Sequence, residues 1–185
     1  NRGQAILTKK NHKTGTDRIY EALQKLNRAN IDFIMNLQGD EPLMNINDIR
    51  NLNNQMIKNR FQLGTLASKI RDEKIFENQN IVKVATREKL NNLNFPEALN
   101  FMRKIIEKKE NIYHHHGIYC YQIDTLQNFV SLNQSSNELK NKLEQLRALE
   151  NGMKIHVGYA EFSPLSVDTE QDLVEVRKLM ENEKK

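Results

Sequence analysis

Ile31-Asp32-Phe33-Ile34-Met35-Asn36-Leu37-Gln38-Gly39-Asp40-Glu41-Pro42 joins an apolar run to an acidic turn. The run Ile31 to Leu37 reads as a strand, and the turn follows its carboxyl end, where open α/β sheets bind ligands. Gly39 permits close backbone approach and Pro42 stiffens the exit. Asp40 is thereby set to face a crevice, where Mg²⁺, a hard cation that takes oxygen ligands, would bridge it to a nucleotide phosphate. The plain alternative is punctuation, because Gly-Asp followed by Pro is also an ordinary turn.

Outward from this turn, strand and helix patterns alternate. Toward the N-terminus, Gln4 to Leu7 reads as a short strand. Thr14 to Leu26 reads as a helix capped by Thr16, with Ile19, Leu23 and Leu26 on one face. Toward the C-terminus, Asn47 caps a helix to Lys58 that turns Ile49, Leu52 and Met56 inward. Leu63 to Ile70, Ile81 to Thr86, Gly117 to Gln122 and Lys154 to Ala160 read as strands, and Ala98 to Glu110 as a helix. Asp124 is placed as the cap of a helix through Val130. Ser135 with Glu138, and Thr169 with Asp172, are capping boxes. The first opens a helix presenting Leu139, Leu143, Leu146 and Leu149; the second opens one presenting Leu173, Val176 and Met180. This βαβ grammar predicts a single α/β domain over residues 1–185, with a mixed, mainly parallel sheet flanked by helices.

Composition narrows the class. Hydrophobic content of 38% and charged content of 28% suit a globular chain, and no apolar run nears the roughly 20 residues that span a bilayer. Cys120 is the single cysteine, which excludes an intrachain disulfide framework and fits a reducing compartment, with the cytoplasm as default. The net charge of +4 permits an anionic partner. The lysines are dispersed, however, and aromatics make up only 6%, so neither a nucleic-acid surface nor a membrane partner is expected. The first residue is Asn1 rather than Met, which reads as an artificial start.

A second acidic turn, Ser166-Val167-Asp168-Thr169, leads from strand Lys154 to Ala160 into the final helix. If Asp40 and Asp168 face across one crevice, they can share a divalent ion over a triphosphate. The alternative is that Asp168 merely assists a helix start. His12 to Arg18 offers hydroxyls, a glycine and an arginine at a helix N-terminus, a natural anion contact, or else a plain threonine cap. Of His114, His115 and His116, neighbours on a strand must alternate faces, whereas His115 and Tyr119 share one. Zinc is not expected, because paired-ligand spacing is lacking.

Taken in order, these segments resemble the 3-deoxy-manno-octulosonate (Kdo) cytidylyltransferases, the CMP-Kdo synthetases. His12 to Arg18 resembles the family's His-x-Ser-Gly-Thr-acid-Arg segment, Leu37 to Pro42 its Gln-Gly-Asp-Glu-Pro turn and Asn80 to Val84 its Val-Lys-Val strand. Phe101-Met102-Arg103, His115 to Tyr121, Glu144 to Arg147 and Val167-Asp168-Thr169 with Asp172-Leu173 fall at related motifs. The resemblance implies a Rossmann-like nucleotidyltransferase fold joining CTP to Kdo, with release of pyrophosphate, for lipopolysaccharide synthesis.

By the same resemblance Asp40 and Asp168 hold Mg²⁺ and are the catalytic pair. Thr14, Gly15, Arg18 and Gln38 contact nucleotide, whereas Arg103, His115, Tyr119, Glu144 and Gln145 contact the sugar. A homodimer is also implied. Met102, the Lys104-Ile105-Ile106 run and His116 depart from the family pattern. The family's N-terminal phosphate-cradling segment has no counterpart here, which predicts poor activity for the chain alone. Two other readings are a cytidylyltransferase for another acidic sugar such as a sialic acid, and a basic noncatalytic binding module.

Overall fold

A computed structural model of the chain describes residues 4–27, 30–105, 110–163, 165–167 and 169–182. Six strands form one mixed sheet: β1 Phe33–Asn36, β2 Leu63–Ser68, β3 Lys83–Thr86, β4 Ala98–Met102, β5 Ile112–Gln122 and β6 Ile155–Ala160. The order is β4-β3-β5-β2-β6, with β1 also on β5. As the sequence predicted, this is α/β with a helix-flanked sheet, and four strands, β1, β2, β3 and β6, share a direction. Because β5 runs against them at the centre, the β2–β6 ladder is the parallel one, and the other four are antiparallel.

The β5 strand organises the sheet. One of its edges carries β2 throughout. The other carries β3 opposite Ile112 to His114 and β1 opposite Tyr119 to Gln122, so two co-directional strands lie end to end with a gap between them. Opposite β2, the register jumps from Thr65↔Tyr119 to Leu66↔His116, which leaves Gly117 and Ile118 as a bulge. Thr65 covers the broken ladder by donating its hydroxyl to the Ile118 carbonyl at 2.6 Å. The extra pair of residues preserves alternation, as two is the side-chain period of a strand.

Helices cover both faces. On one, α1 Gly15–Leu26, α4 Ile123–Ser131, α5 Ser136–Asn141 and α6 Gln145–Glu150, with the α5–α6 connection, bring Leu23, Leu126, Phe129, Leu143 and Leu146 onto Leu63, Val84 and Tyr121. On the other, α2 Ile46–Asn59 packs Leu52 and Met56 against Leu66, Ile118 and Cys120. A short α3, Lys74–Glu77, and the C-terminal α7, Glu170–Asn182, complete the order. Close packing is tight enough that a Cβ on Gly64 would come within 2.5 Å of Met56 Sδ.

Several sequence expectations need correction. Gln4 to Leu7 forms no strand; the backbone beside it is held by α1 side chains, with Lys25 Nζ on the Leu7 carbonyl at 2.8 Å and Arg18 on that of Lys9 at 2.9 Å. The cap of α1 is Thr14, boxed with Asp17, and Thr16 lies buried in the first turn. Asn45, not Asn47, caps α2. No side chain caps α4, so Asp124 is not its cap. Ala98 to Met102 is a strand, not a helix: β3 takes it up as an edge partner, and pairing overrides the helix preference of Ala, Leu and Met. The expected Leu139 to Leu149 helix breaks at Lys142, whose φ is 52°, and Leu139 is left exposed. Met180 of α7 is exposed as well. Both predicted capping boxes form, Ser135 with Glu138 and Thr169 with Asp172.

Candidate active site

The acidic turn leaves β1 and runs beside the gap in β5. Glu41 Oε1 accepts the Gly117 amide at 3.0 Å, which satisfies a donor that the missing neighbour strand leaves open. A Cβ on Gly117 would stand 3.1 Å from both Gln38 Cγ and Glu41 Oε1, so glycine lets the turn approach this closely. Asp40 is exposed, and its carbonyl accepts the Val167 amide at 2.8 Å. Segments far apart in sequence thus meet at this turn. Asp168 itself lies outside the described residues.

Alternation then selects the site's floor. Asn36, Tyr119 and Thr65 are lateral neighbours across β1, β5 and β2. Tyr119 packs on the α1–α4–α6 side, and His115, four residues earlier on the same face, lies against it with ring centroids 5.4 Å apart. His115 Nε2 meets Thr65 Oγ1 at 2.9 Å. Since the Thr65 hydroxyl donates to Ile118, the ring nitrogen is the donor, and complete burial holds His115 well below the usual histidine range. Burial first, then the charges of Tyr121, Glu144 and Glu41, raises the Tyr119 phenol well above its usual range. Tyr119 therefore lies within the electrostatic reach of both the turn and α6.

At the α6 entrance, Glu144 Oε1 accepts the Thr16 hydroxyl at 2.6 Å, and Thr16 in turn sits 3.4 Å from the Tyr121 hydroxyl. Gln145 is buried beside it. A cleft of about 340 Å³ runs from Glu144 to Thr14 and Gly15 at the N-terminus of α1, with Lys13 and Lys142 on its walls. Glu138 and Glu144 balance the two ammonium groups, and the N-terminus of α1 adds its positive end at Thr14 and Gly15.

The structure thus draws Gln38, His115, Tyr119, Glu144 and Gln145 to one side of the sheet or its edge, with Thr14 and Gly15 along the adjoining cleft. It places two residues differently. Arg18 turns to Thr8 Oγ1 at 2.6 Å and to the Lys9 carbonyl, so it tethers the N-terminal segment. Arg103 gives its guanidinium to the carbonyls of Asn141, Gln79, Asn80 and Lys142, on the wall of a separate cleft of about 670 Å³. Its charge is not cancelled by carbonyls, but no described bond links it to Tyr119 or Glu144.

Sequence reasoning missed Asn36, Glu41, Thr16 and Thr65. The signal for Asn36 was the period-two alternation that pairs it with Ile34 on the inner face; the signal for Thr16 was its helical spacing from Tyr20 and Leu23. On the opposite face His114 and His116 form a run with Ser163 and Ser68, whose hydroxyls are 2.6 Å apart. Alternation separates them from His115 as expected.

For Mg²⁺, the described part of the donor set fits. Asp40 presents an exposed carboxylate at a strand's carboxyl end with no described partner, and a site using one or two carboxylates plus phosphate oxygens is ordinary for this ion.

Comparison with known proteins gives the family of the chain. Residues 1–155 match the family model described as cytidylyltransferase. A 3-deoxy-manno-octulosonate cytidylyltransferase of Thermodesulfovibrio yellowstonii is 42% identical over 181 residues, covering 92% of this chain and 71% of that protein. One from Paramagnetospirillum magneticum is 38% identical, covering 96% and 73%. The solved structure of a CMP:2-keto-3-deoxy-manno-octonic acid synthetase complexed with CTP superposes with a TM-score of 0.86 at 33% identity, over 98% of this chain and 74% of that one.

Proposed function

The chain belongs to the 3-deoxy-manno-octulosonate cytidylyltransferase family, and on that premise we propose that it transfers CMP from CTP to Kdo with release of pyrophosphate, for lipopolysaccharide synthesis. The observation that carries the reading is the grouping of Gln38, Tyr119, His115, Glu144 and Gln145 about a strand-end turn that presents Asp40. The anomeric oxygen of Kdo bonds to the α-phosphorus of CTP as the bond to the β-phosphate oxygen breaks. Pyrophosphate leaves, and the hydroxyl proton is released. Mg²⁺, when bound, supplies charge neutralisation at the attacked phosphate and the leaving group.

The protein's own residues orient the reactants. Asp40, with Asp168 as the second carboxylate, would hold the ion. Thr14, Gly15 and the N-terminus of α1, with Gln38, face the nucleotide. Tyr119 and His115, both neutral, and Glu144 and Gln145 offer hydrogen bonds to sugar hydroxyls in a place where water is excluded. Arg103, with its cationic cleft, stays a candidate for the Kdo carboxylate. We place the enzyme in the cytoplasm as a homodimer; no described helix is long and apolar enough to cross a membrane.

The test is pyrophosphate release by the full-length protein offered CTP with Kdo or a sialic acid, with and without Mg²⁺. Release with Kdo alone, dependent on Mg²⁺, is expected. Asp40→Asn should lower kcat/KM by about 100-fold or more, since it weakens the grip on the ion at the reacting phosphate, and should leave the melting temperature unchanged. Equal turnover of a sialic acid would reject the substrate assignment, and full activity in Asp40→Asn would reject the role of that carboxylate.

A further inference from the structure

Asn36 closes β1 on the inner face of the sheet, 5% exposed and directly across from Tyr119. Among the described residues its Nδ2 has no hydrogen-bond partner. Leaving a buried amide so is costly, and an apolar residue of similar size would remove that cost. Across the site, Glu144 Oε2 is likewise buried without a described partner, while its other oxygen is held by Thr16. An open donor therefore stands beside Tyr119 in the ladder, and an open acceptor joins the same wall through Thr16 and Tyr121, whose ring centroid lies 6.0 Å from that of Tyr119.

The chemistry of these walls discriminates between ligands. A hydroxyl donates and accepts, so it can satisfy an amide N–H and a carboxylate oxygen together. A phosphate only accepts and would meet the negative charges of Glu144 and Glu41. His115 adds no positive charge, because its burial keeps it neutral. The site is matched to a neutral, hydroxyl-bearing part of a substrate.

We propose that Asn36 is a substrate-contacting residue whose amide, together with Glu144, binds a hydroxyl of the polyhydroxylated acid sugar and not the nucleotide. The assignment rests on the functional reading above. It also explains why a costly polar group stands at the end of a core strand.

The test pairs stability with kinetics in the full-length protein. Asn36→Leu should raise KM for Kdo about tenfold or more while KM for CTP stays within about twofold, and its melting temperature should equal or exceed that of the parent. Asn36→Ser, smaller and still polar, provides a second variant should leucine overpack. Kdo analogues lacking single hydroxyls complete a cycle: one deletion should cost the parent enzyme about as much as Asn36→Leu does, and cost Asn36→Leu little more. A fall in melting temperature with both KM values unchanged would make Asn36 structural and overturn the proposal. A rise in KM for CTP instead would overturn the sugar assignment. Absence of turnover by the parent protein with any acid sugar would refute the activity itself, a result distinct from either.

Discussion

The Glu138–Arg147 pair and the Asn36–Tyr119–Glu144 group lie on the same side of the sheet, and both bury polar atoms. The first is saturated. Arg147 donates through Nε to Glu138 Oε2 at 2.8 Å and through a terminal nitrogen to Oε1 at 2.5 Å, lies over the Phe129 ring at 4.6 Å, and has Asp17 at 4.0 Å. Glu138 also accepts from Ser135 and Gln134. Burial alone would raise the Glu138 carboxyl, but the bonds from Arg147 hold it below its usual range. In the second group a donor and an acceptor stay open. Buried polarity that is fully paired fastens α5 to α6, whereas the open donor and acceptor of the second group are what a ligand hydroxyl would satisfy.

The largest effect should come from cutting the saturated pair. Arg147→Met strands a buried carboxylate and should cost about 3–5 kcal/mol in urea denaturation, whereas Glu138→Leu with Arg147→Met should recover most of it. Activity per folded molecule should hold in the double variant. A large drop in turnover there, with stability restored, would break the division between the two groups.

A second comparison opposes the faces of the sheet. Burial holds His116 at about 3 and His114 at about 4, with neighbouring positive charges adding to the effect. Both folded values are below the unfolded value of about 6.5, so the unfolded chain binds more protons between them. Stability is therefore complete above about pH 6.5 and declines as pH falls toward 4 and then 3. The urea midpoint should drop between pH 7 and pH 5, and His116→Leu should remove about one of the protons taken up on unfolding. An unchanged slope in that variant would deny His116 its part.

The smallest expected effect concerns the join between turn and sheet. Gly117→Ala forces Gln38 and Glu41 back by a few tenths of an ångström, given the 3.1 Å contacts, at a cost of about 1 kcal/mol. KM for CTP should rise severalfold in steady-state kinetics. No change in either would show that the turn yields freely, and that Glu41 is not needed at the Gly117 amide.

Much of this was legible from local chemistry. The Ser135–Glu138 and Thr169–Asp172 boxes, the inward Leu52 and Met56, and the strand preceding Gln38-Gly39-Asp40 all follow from spacing that a helix or strand must obey. What stayed hidden depends on partners distant in sequence. Ala98 to Met102 holds no β-branched residue, and only β3 makes it a strand. The start of β5 reads as polar because of its histidines, whose burial is possible only with Thr65, Ser68 and Ser163 supplied by other elements. Arg103 shows the same limit: its motif announces a cation, but the carbonyls that claim it come from two loops.

The place of β5 has a consequence for biosynthesis. Among the described strands, β1 has no ladder but with β5, and β2 waits for β5 or the later β6. Among the described strands, only the β3–β4 hairpin can close while the ribosome is still adding residues before Ile112, so the edges of β1 and β2 that face β5 stay open in the nascent chain. Such late, long-range closure is slow and exposes chains to mispairing, so chaperone demand should be concentrated in the interval before Gln122 emerges.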